Sequence, residues 1–433
     1  MRPDEDKTQE NMTNYVDALC REIAATRRLN DDTSPLQTIF FGGGTPALIS
    51  PFLLEQILNA LDRSFGIDFS CSSSSAPSPL EISIEADPGC FTASTLRTYK
   101  SLGINRVSVG VQSFDNDLLA LCGRAHDAAD VFRAIESVYA ADIPSWSLDL
   151  MSGLPNLTES IWESTLRTAL DTSPPHISVY DLQIEPQTPF AKQYRPGEFP
   201  LPSEEDATRM YKTASHVLRG SGFEHYEISN YAKPGHRCAH NMTYWKGLPH
   251  YAFGMGAASY LQGIRFSRPK RLGAYLQWLN DDFCQSHDGT DSADRSDTAR
   301  SDDREDTVKR KVPGEGEVPV ESVDDRITDT IMLRLRLADG LHTCDLSVSH
   351  TTEDGEVVDA DGDSEVLVDV VVNALKEHEQ RGHVEFVYHD DEGSNQTAAA
   401  VSIIKLTDPD GFVMSNDVIS DIFVALDDMK SDN

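Results

Sequence analysis

Through the first 280 residues, short runs rich in β-branched and aromatic side chains alternate with longer segments whose apolar positions recur at helical spacing. The runs Thr38–Phe41, Glu81–Ala86, Arg106–Val111, Ser147–Met151, His176–Leu182 and Glu224–Ser229 predict strands. Between them, Leu54–Asp62, Thr92–Leu102, Ala128–Ala140, Ile161–Leu170 and Glu204–Arg219 predict helices. In Asn11–Arg28 the residues Met12, Val16, Leu19, Cys20 and Ile23 share one face, so the chain opens with a helix. Repeated strand–helix units are the pattern of an α/β fold, here a partial (β/α) barrel around a parallel sheet. A doubly wound open sheet remains an alternative, because periodicity does not show whether a parallel sheet closes. An α/β domain ordinarily opens with a strand, so the helical start implies a missing first strand or a different sheet edge.

The pattern breaks after residue 280. Residues 286–325 hold Ser, Asp, Gly, Arg and Thr without apolar periodicity, which does not repay the entropy of ordering. The boundaries are therefore a barrel over 1–280, an acidic disordered linker or insertion over 281–326, and a separate domain over 327–433. Cys71–Pro79 and Thr351–Asp363 have the same character on a smaller scale and read as loops enlarged within a folded frame. Beyond the linker, Ile327–Leu337 and Leu367–Gln380 predict helices, Val384–Tyr388 and Val401–Ile404 strands, and Asn416–Leu426 a closing helix. Helices followed by a β-ribbon describe a small winged-helix-like α+β domain.

Charge sharpens that division. The chain carries a net charge of −34, of which residues 1–280 (24 basic, 32 acidic) contribute −8 and residues 281–433 (13 basic, 39 acidic) contribute −26. A surface of that sign repels phosphate backbones and argues against a nucleic-acid partner. With 433 residues, 39% of them hydrophobic, the chain has enough apolar material for one large core or two moderate ones. No run of eighteen apolar residues offers a transmembrane segment, which leaves peripheral membrane contact open. The seven cysteines, at 20, 71, 90, 122, 238, 284 and 344, include no CxxC pair and read as free thiols of a reducing compartment. As it stands the sequence reads as soluble and cytoplasmic, with a mitochondrion or plastid as the address if a targeting segment lies upstream.

The candidate chemistry sits at the strand ends. Gly42-Gly43-Gly44-Thr45-Pro46 follows the first strand, where glycines let backbone N–H groups close on a ligand. It matches neither GxGxxG nor a phosphate-binding P-loop. Alone it reads as a tight turn. But Glu85, Gln112, Asp149 and Glu185 stand at or just beyond the ends of four further strands, where a barrel gathers its site. Together they read as a ligand cradle. Downstream, His240 opens the stretch HNMTYW, in which an imidazole beside Tyr244 and Trp245 offers an axial ligand and aromatic faces to a macrocycle. His236, Cys238 and His240 form an HxCxH pattern without a fourth ligand, a weak zinc signal.

FFGGGTPALIS, IEADPG, GINRVSVGVQSF, DLMSGLP, IEPQTPF, YEISNYAKPG and HNMTYW, in that order and spacing, resemble radical-SAM proteins of the oxygen-independent coproporphyrinogen III oxidase group, especially the haem chaperone branch, HemW. The resemblance spans Asn11–Trp278 and resumes in Ile327–Leu341 and Lys405–Phe423. It implies S-adenosylmethionine as cofactor, with Gly43, Gly44 and Thr45 at its methionyl moiety and Glu85, Gln112, Arg124 and Asp149 around the rest. It also implies haem, with His240 as the candidate iron ligand, and a haem-accepting protein as partner. The rival expectations are an oxygen-independent coproporphyrinogen III oxidase-like enzyme of porphyrin biosynthesis and a non-catalytic haem- or partner-binding module.

One element of the resemblance is missing. The family's CxxxCxxC, which holds a 4Fe–4S cluster, does not occur, and no two of the cysteines lie within four residues of each other. Strand and motif vanish together, so the expectation is a chain that begins at an internal methionine of a longer protein. If Met1 is the true start, the binding module is the leading reading.

Overall fold

The computed structural model describes residues 3–28, 34–67, 80–280, 309–312, 316–319, 322–346, 349–351, 357–359, 361–388 and 401–431. Through the first 280 residues the order is α1 (Pro3–Arg28), β1 (Thr38–Phe41), α2 (Pro51–Phe65), β2 (Glu81–Ala86), α3 (Ala93–Ser101), β3 (Arg106–Gln112), α4 (Asn116–Leu121), α5 (Ala128–Ala141), β4 (Ser145–Ser152), α6 (Glu159–Asp171), β5 (His176–Asp181), α7 (Pro189–Gln193), α8 (Glu204–Gly220), β6 (Glu224–Glu227), β7 (Asn230–Ala232) and α9 (Ala239–Trp245). The chain groups into two compact units, one of residues 1–37, 49–80 and 248–326, the other of residues 38–48, 81–247 and 327–433.

The second unit carries a curled half-barrel sheet of seven strands in the order β1-β2-β3-β4-β5-β7-β6. From β1 to β5 all pairings are parallel. Each strand alternates two kinds of residue. Ile82, Ile84, Val107, Val109, Val111, Trp146, Leu148 and Leu150 are buried, with Leu96, Tyr99, Val131, Ile135, Trp162 and Leu166 of the helices among the buried core. The opposite face carries Ser83, Glu85, Ser108, Gly110, Ser145, Ser147 and Asp149. A parallel sheet with a polar face is the arrangement of a site, because parallel sheets are usually apolar on both faces.

The structure corrects one expectation. The run Glu224–Ser229 is not the strand of a sixth strand–helix unit. It turns at Ile228-Ser229 into β7, which pairs antiparallel with both β6 and β5. The motif YEISNYAKPG is thus a hairpin closing the sheet's far edge. The opening helix also begins earlier than its periodicity suggested, at Pro3.

In the same unit, Leu341–His342, Val401–Leu406 and Val384–Tyr388 form a three-stranded antiparallel sheet with Val401–Leu406 in the middle. Ile331, Val371, Leu375, Ile404, Phe412, Val418 and Ile422 make its core with the helices Val323–Arg334, Asp361–Ala374 and Ser415–Ser431. Most of 286–325 and all of 71–79 lie outside the described residues; within the former, Lys309–Val312 pairs with Gly316–Pro319. Of 351–363, Val357–Asp359 pairs with Ser349–Thr351 and Asp361 begins a helix.

In the first unit, α1 and α2 accompany a hairpin of Ala258–Leu261 and Ile264–Ser267 and a helix of Leu272–Trp278. Beside its apolar cluster of Ala18, Ala25, Trp278 and Leu279 lies a buried polar network. The fully buried Glu22 accepts from Arg268 Nε at 2.7 Å, from the Tyr275 hydroxyl at 2.7 Å and from the Gly254 amide at 2.9 Å.

Candidate functional site

At the carboxyl end of β1 the chain must turn sharply, and Gly43 and Gly44 do so at φ +84° and +69°, a region that disfavours side chains. The Gly43 amide then donates to Glu85 Oε2 at 2.9 Å. Two residues on, the Thr45 hydroxyl donates to Asp87 Oδ2 at 2.8 Å, and Arg124 Nη1 approaches Asp87 Oδ1 at 3.2 Å. Gln112 sits at φ +65° where the β3–β4 register shifts, so its side chain is re-aimed at the strand end. A Cβ on Gly110 would come 2.9 Å from Asp87 Oδ1 and 3.2 Å from Gln112 Nε2, so only glycine there leaves both side chains their places. On β4, the two oxygens of Asp149 lie 2.9 and 2.7 Å from the Ser108 hydroxyl.

These groups crowd like charges. Burial pushes the Glu85 carboxyl above its ordinary range, the Gly43 amide opposes that, and the charges of Asp149 and Asp87 add to it. Burial likewise pushes Asp149 upward, against hydrogen bonds from Ser108 and Ser178. Arg124 pairs with Asp87 and Arg106 opposes the rise of Asp149, so the cluster sets three carboxylates against two guanidiniums. Such a site favours a ligand that brings positive charge.

The structure therefore joins Gly43 to Glu85 directly, and Thr45 to Arg124 through Asp87. Asp87 is the residue that the sequence reading passed over, although IEADPG contains it. Glu185 falls outside the arrangement, exposed in the turn after β5, where its carbonyl accepts from Thr188. The polar end of β5 is instead Asp181, which accepts from the Ser152 hydroxyl at 3.1 Å.

His240 lies at the opposite end of β1. Its Nδ1 is 2.8 Å from the Oγ1 of Thr38, the first residue of β1, whereas Gly43 follows the last; at about 3.3 Å per residue the two positions are roughly 16 Å apart along the strand. The imidazole stacks on Phe40, with ring centroids 4.8 Å apart and planes 19° from parallel. Its Nε2 meets the Tyr244 hydroxyl at 2.9 Å. At the far end of α9 the Trp245 indole hydrogen-bonds Glu227, a fully buried carboxyl that burial pushes up to about 7 against bonds from Asn230 and the Ser229 amide.

The HxCxH residues do not converge. His236 Nδ1 lies 3.0 Å from the Ser145 hydroxyl, while the Cys238 thiol, pushed up to about 11 by burial, is directed at Glu81 Oε1 at 3.6 Å. A protonated buried thiol is a poor metal ligand. Among the described residues no group of three His, Cys, Asp or Glu side chains could hold a metal ion.

The radical SAM superfamily profile matches residues 14–169. A HemW haem chaperone of Synechocystis is 40% identical over 417 residues, covering 96% of this chain and 88% of that protein. The HemW haem chaperone of Escherichia coli is 35% identical over 222 residues, 51% of this chain and 55% of its own length. A mitochondrial radical S-adenosylmethionine domain-containing protein of Bos taurus is also 35% identical over 222 residues, 51% of this chain and 48% of that one. Among solved structures, coproporphyrinogen III oxidase of Escherichia coli superposes with a TM-score of 0.66 at 19% identity, covering 96% of this chain and 83% of that chain, and shares the fold.

Radical-SAM membership implies S-adenosylmethionine and a 4Fe–4S cluster. The carboxylates, amide and guanidinium at the strand ends fit the first, a ligand with two positive centres and one carboxylate. The cysteines do not fit the second: Cys20, Cys90, Cys122, Cys238 and Cys344 are free thiols, and the sequence contains no CxxxCxxC. The sheet, its polar face, the ordered motifs and the 40% identity to a near-full-length relative agree: this chain belongs to the HemW family of radical-SAM haem chaperones.

Proposed function

We propose that this chain is a haem chaperone that binds S-adenosylmethionine at the strand ends, carries haem on His240 and passes it to a haem-accepting protein. The observation that carries the haem assignment is the state of His240. Its ring is stacked, its Nδ1 is held by a strand hydroxyl, and its Nε2 meets a tyrosine on its own helix that is 44% exposed. Metal-binding histidines are held in this way, with one nitrogen tied to an outer partner and the other directed at the metal. Haem supplies the iron and a flat apolar face, to which Tyr244 and Trp245 are chemically suited.

For S-adenosylmethionine, the turn at Gly43 and Gly44 brings backbone to the methionyl group. Glu85, Asp149 and Gln112 take the ammonium and ribose hydroxyls, and Arg124, oriented by Asp87, takes the carboxylate. When bound, the cofactor contributes a sulfonium whose charge the three carboxylates balance. The chain's role in handing haem over is a role for a protein surface; no helix of the described residues is long and apolar enough to cross a membrane.

Titration of the protein with haem tests the assignment. His240→Ala is expected to lose the Soret signature of imidazole ligation and at least tenfold in affinity. Identical spectra and affinities for the variant and the parent would remove His240 from the site.

A further inference from the structure

The residues that open β1 and β2 are lateral neighbours, Thr38 opposite Glu81 in the parallel register. Both turn to the same target. The Glu81 carboxylate accepts from the backbone amides of Ala239 at 3.1 Å and His240 at 3.0 Å, and from the Cys238 thiol at 3.6 Å. It therefore takes up the first N–H groups of α9, which have no partner within the helix, and places a negative charge at the helix's positive end. Cys238, the residue before the helix, supplies no side-chain cap of its own, so the cap comes from 157 residues upstream. Thr38 meanwhile engages the ring through Nδ1, and Phe40, two residues along the same strand, covers its face.

Backbone, ring plane and one ring nitrogen of His240 are thus all set by the sheet. Nε2, by contrast, meets a side chain of α9 itself, the Tyr244 hydroxyl one turn on. For haem to reach Nε2, the Tyr244 hydroxyl must leave it. For Nε2 to be a ligand its lone pair must be free of hydrogen, so Nδ1 carries the proton and donates it to Thr38 Oγ1.

We propose that Glu81 and Thr38 are the positioning residues of the haem site: Glu81 anchors the helix start and Thr38 fixes the tautomer, so that Nε2 of His240 faces the iron once Tyr244 swings aside. The inference rests on the assignment of haem to His240 and names the atoms that make it work. It also gives Tyr244 a definite part, as the group that occupies Nε2 until haem displaces it.

The test is haem titration of the full chain with Glu81→Gln, Thr38→Val, Thr38→Ser and Tyr244→Phe, read by Soret position, affinity and the pH dependence of the ligated spectrum. Glu81→Gln and Thr38→Val are each expected to weaken haem binding about tenfold. Thr38→Val should also move the pH at which ligation is lost, which a merely structural role would not do, and Thr38→Ser should restore it. Tyr244→Phe, with the competing hydroxyl gone, should bind haem severalfold more tightly. If Glu81→Gln fails to fold, by circular dichroism, the Thr38 pair still decides. Wild-type spectra and affinities in Glu81→Gln and Thr38→Val, beside a loss in His240→Ala, would overturn the positioning role and leave the haem assignment standing. No loss in His240→Ala would overturn both.

Discussion

Two carboxylate networks in this protein differ in a way that separates scaffolding from chemistry. In the first unit, Glu22 is wholly buried and every partner is a donor: the guanidinium of Arg268, the Tyr275 hydroxyl and the Gly254 amide. Arg268 is itself completed by the Ser259 hydroxyl at 2.6 Å. At the strand ends of the second unit, Arg124 pairs with Asp87 alone; burial raises the protonation ranges of Glu85 and Asp149, the neighbouring carboxylates adding to the first and Arg106 opposing the second. A closed network of opposite charges needs nothing more, whereas a cluster of like charges needs a cation. Saturation therefore marks structure here, and deficit marks the site.

The comparison breaks most visibly at Glu22. Glu22→Ala leaves the Arg268 charge buried without a counter-ion, and removing one partner of a buried pair costs about 3–5 kcal/mol. Chemical denaturation should show that loss with S-adenosylmethionine binding preserved. A loss under about 1 kcal/mol would mean that water completes the network, and the contrast would fail.

Glu85→Gln should do the reverse. S-adenosylmethionine affinity, by calorimetry, should fall about tenfold, the worth of one hydrogen bond to a charged group. Stability should hold or rise, because the folded state binds the Glu85 proton more tightly than the unfolded chain does. With the unfolded carboxyl ionising first as pH rises, Glu85 makes the protein less stable from its ordinary range up to its raised one, and lowers stability by the full amount above that. The variant's melting temperature should consequently depend less on pH. A variant that binds the cofactor normally and melts lower would place Glu85 among the scaffold residues.

How much of this the sequence revealed follows from distance along the chain. Strands β1 to β5 and their polar alternation were legible, because EISIEA and RVSVGVQ carry the period within a few residues. The glycines of the first turn were legible for the same reason. The β6–β7 hairpin was not, since a turn at Ile228-Ser229 lacks the Gly or Asn that usually signals one. Asp87 was overlooked because it stands beyond the strand end, where a carboxylate reads as a turn residue. Glu81 was out of reach altogether: its partners lie 158 and 159 residues away, and only the folded register puts the start of β2 against the start of α9.

The smallest effect tests whether deficit also operates at the haem edge. Glu227 is as buried as Glu22, yet among the described residues no cation pairs with it; it accepts from Asn230, the Ser229 amide and the Trp245 indole, and burial lifts it from 4.5 to about 7. Its sign is that of Glu85. The folded state keeps the proton to about pH 7 while the unfolded chain loses it near 4.5, so ionisation lowers stability across that interval. Ionisation also makes Glu227 the stronger acceptor, which tightens its bond to Trp245 and with it the far end of the helix that carries His240. Tryptophan emission should therefore titrate with a midpoint at about 7, and the transition should vanish in Glu227→Gln and in Trp245→Phe. Were the transition to survive in both variants, it would belong to another group, and Glu227 would take its place beside Glu22 as scaffolding.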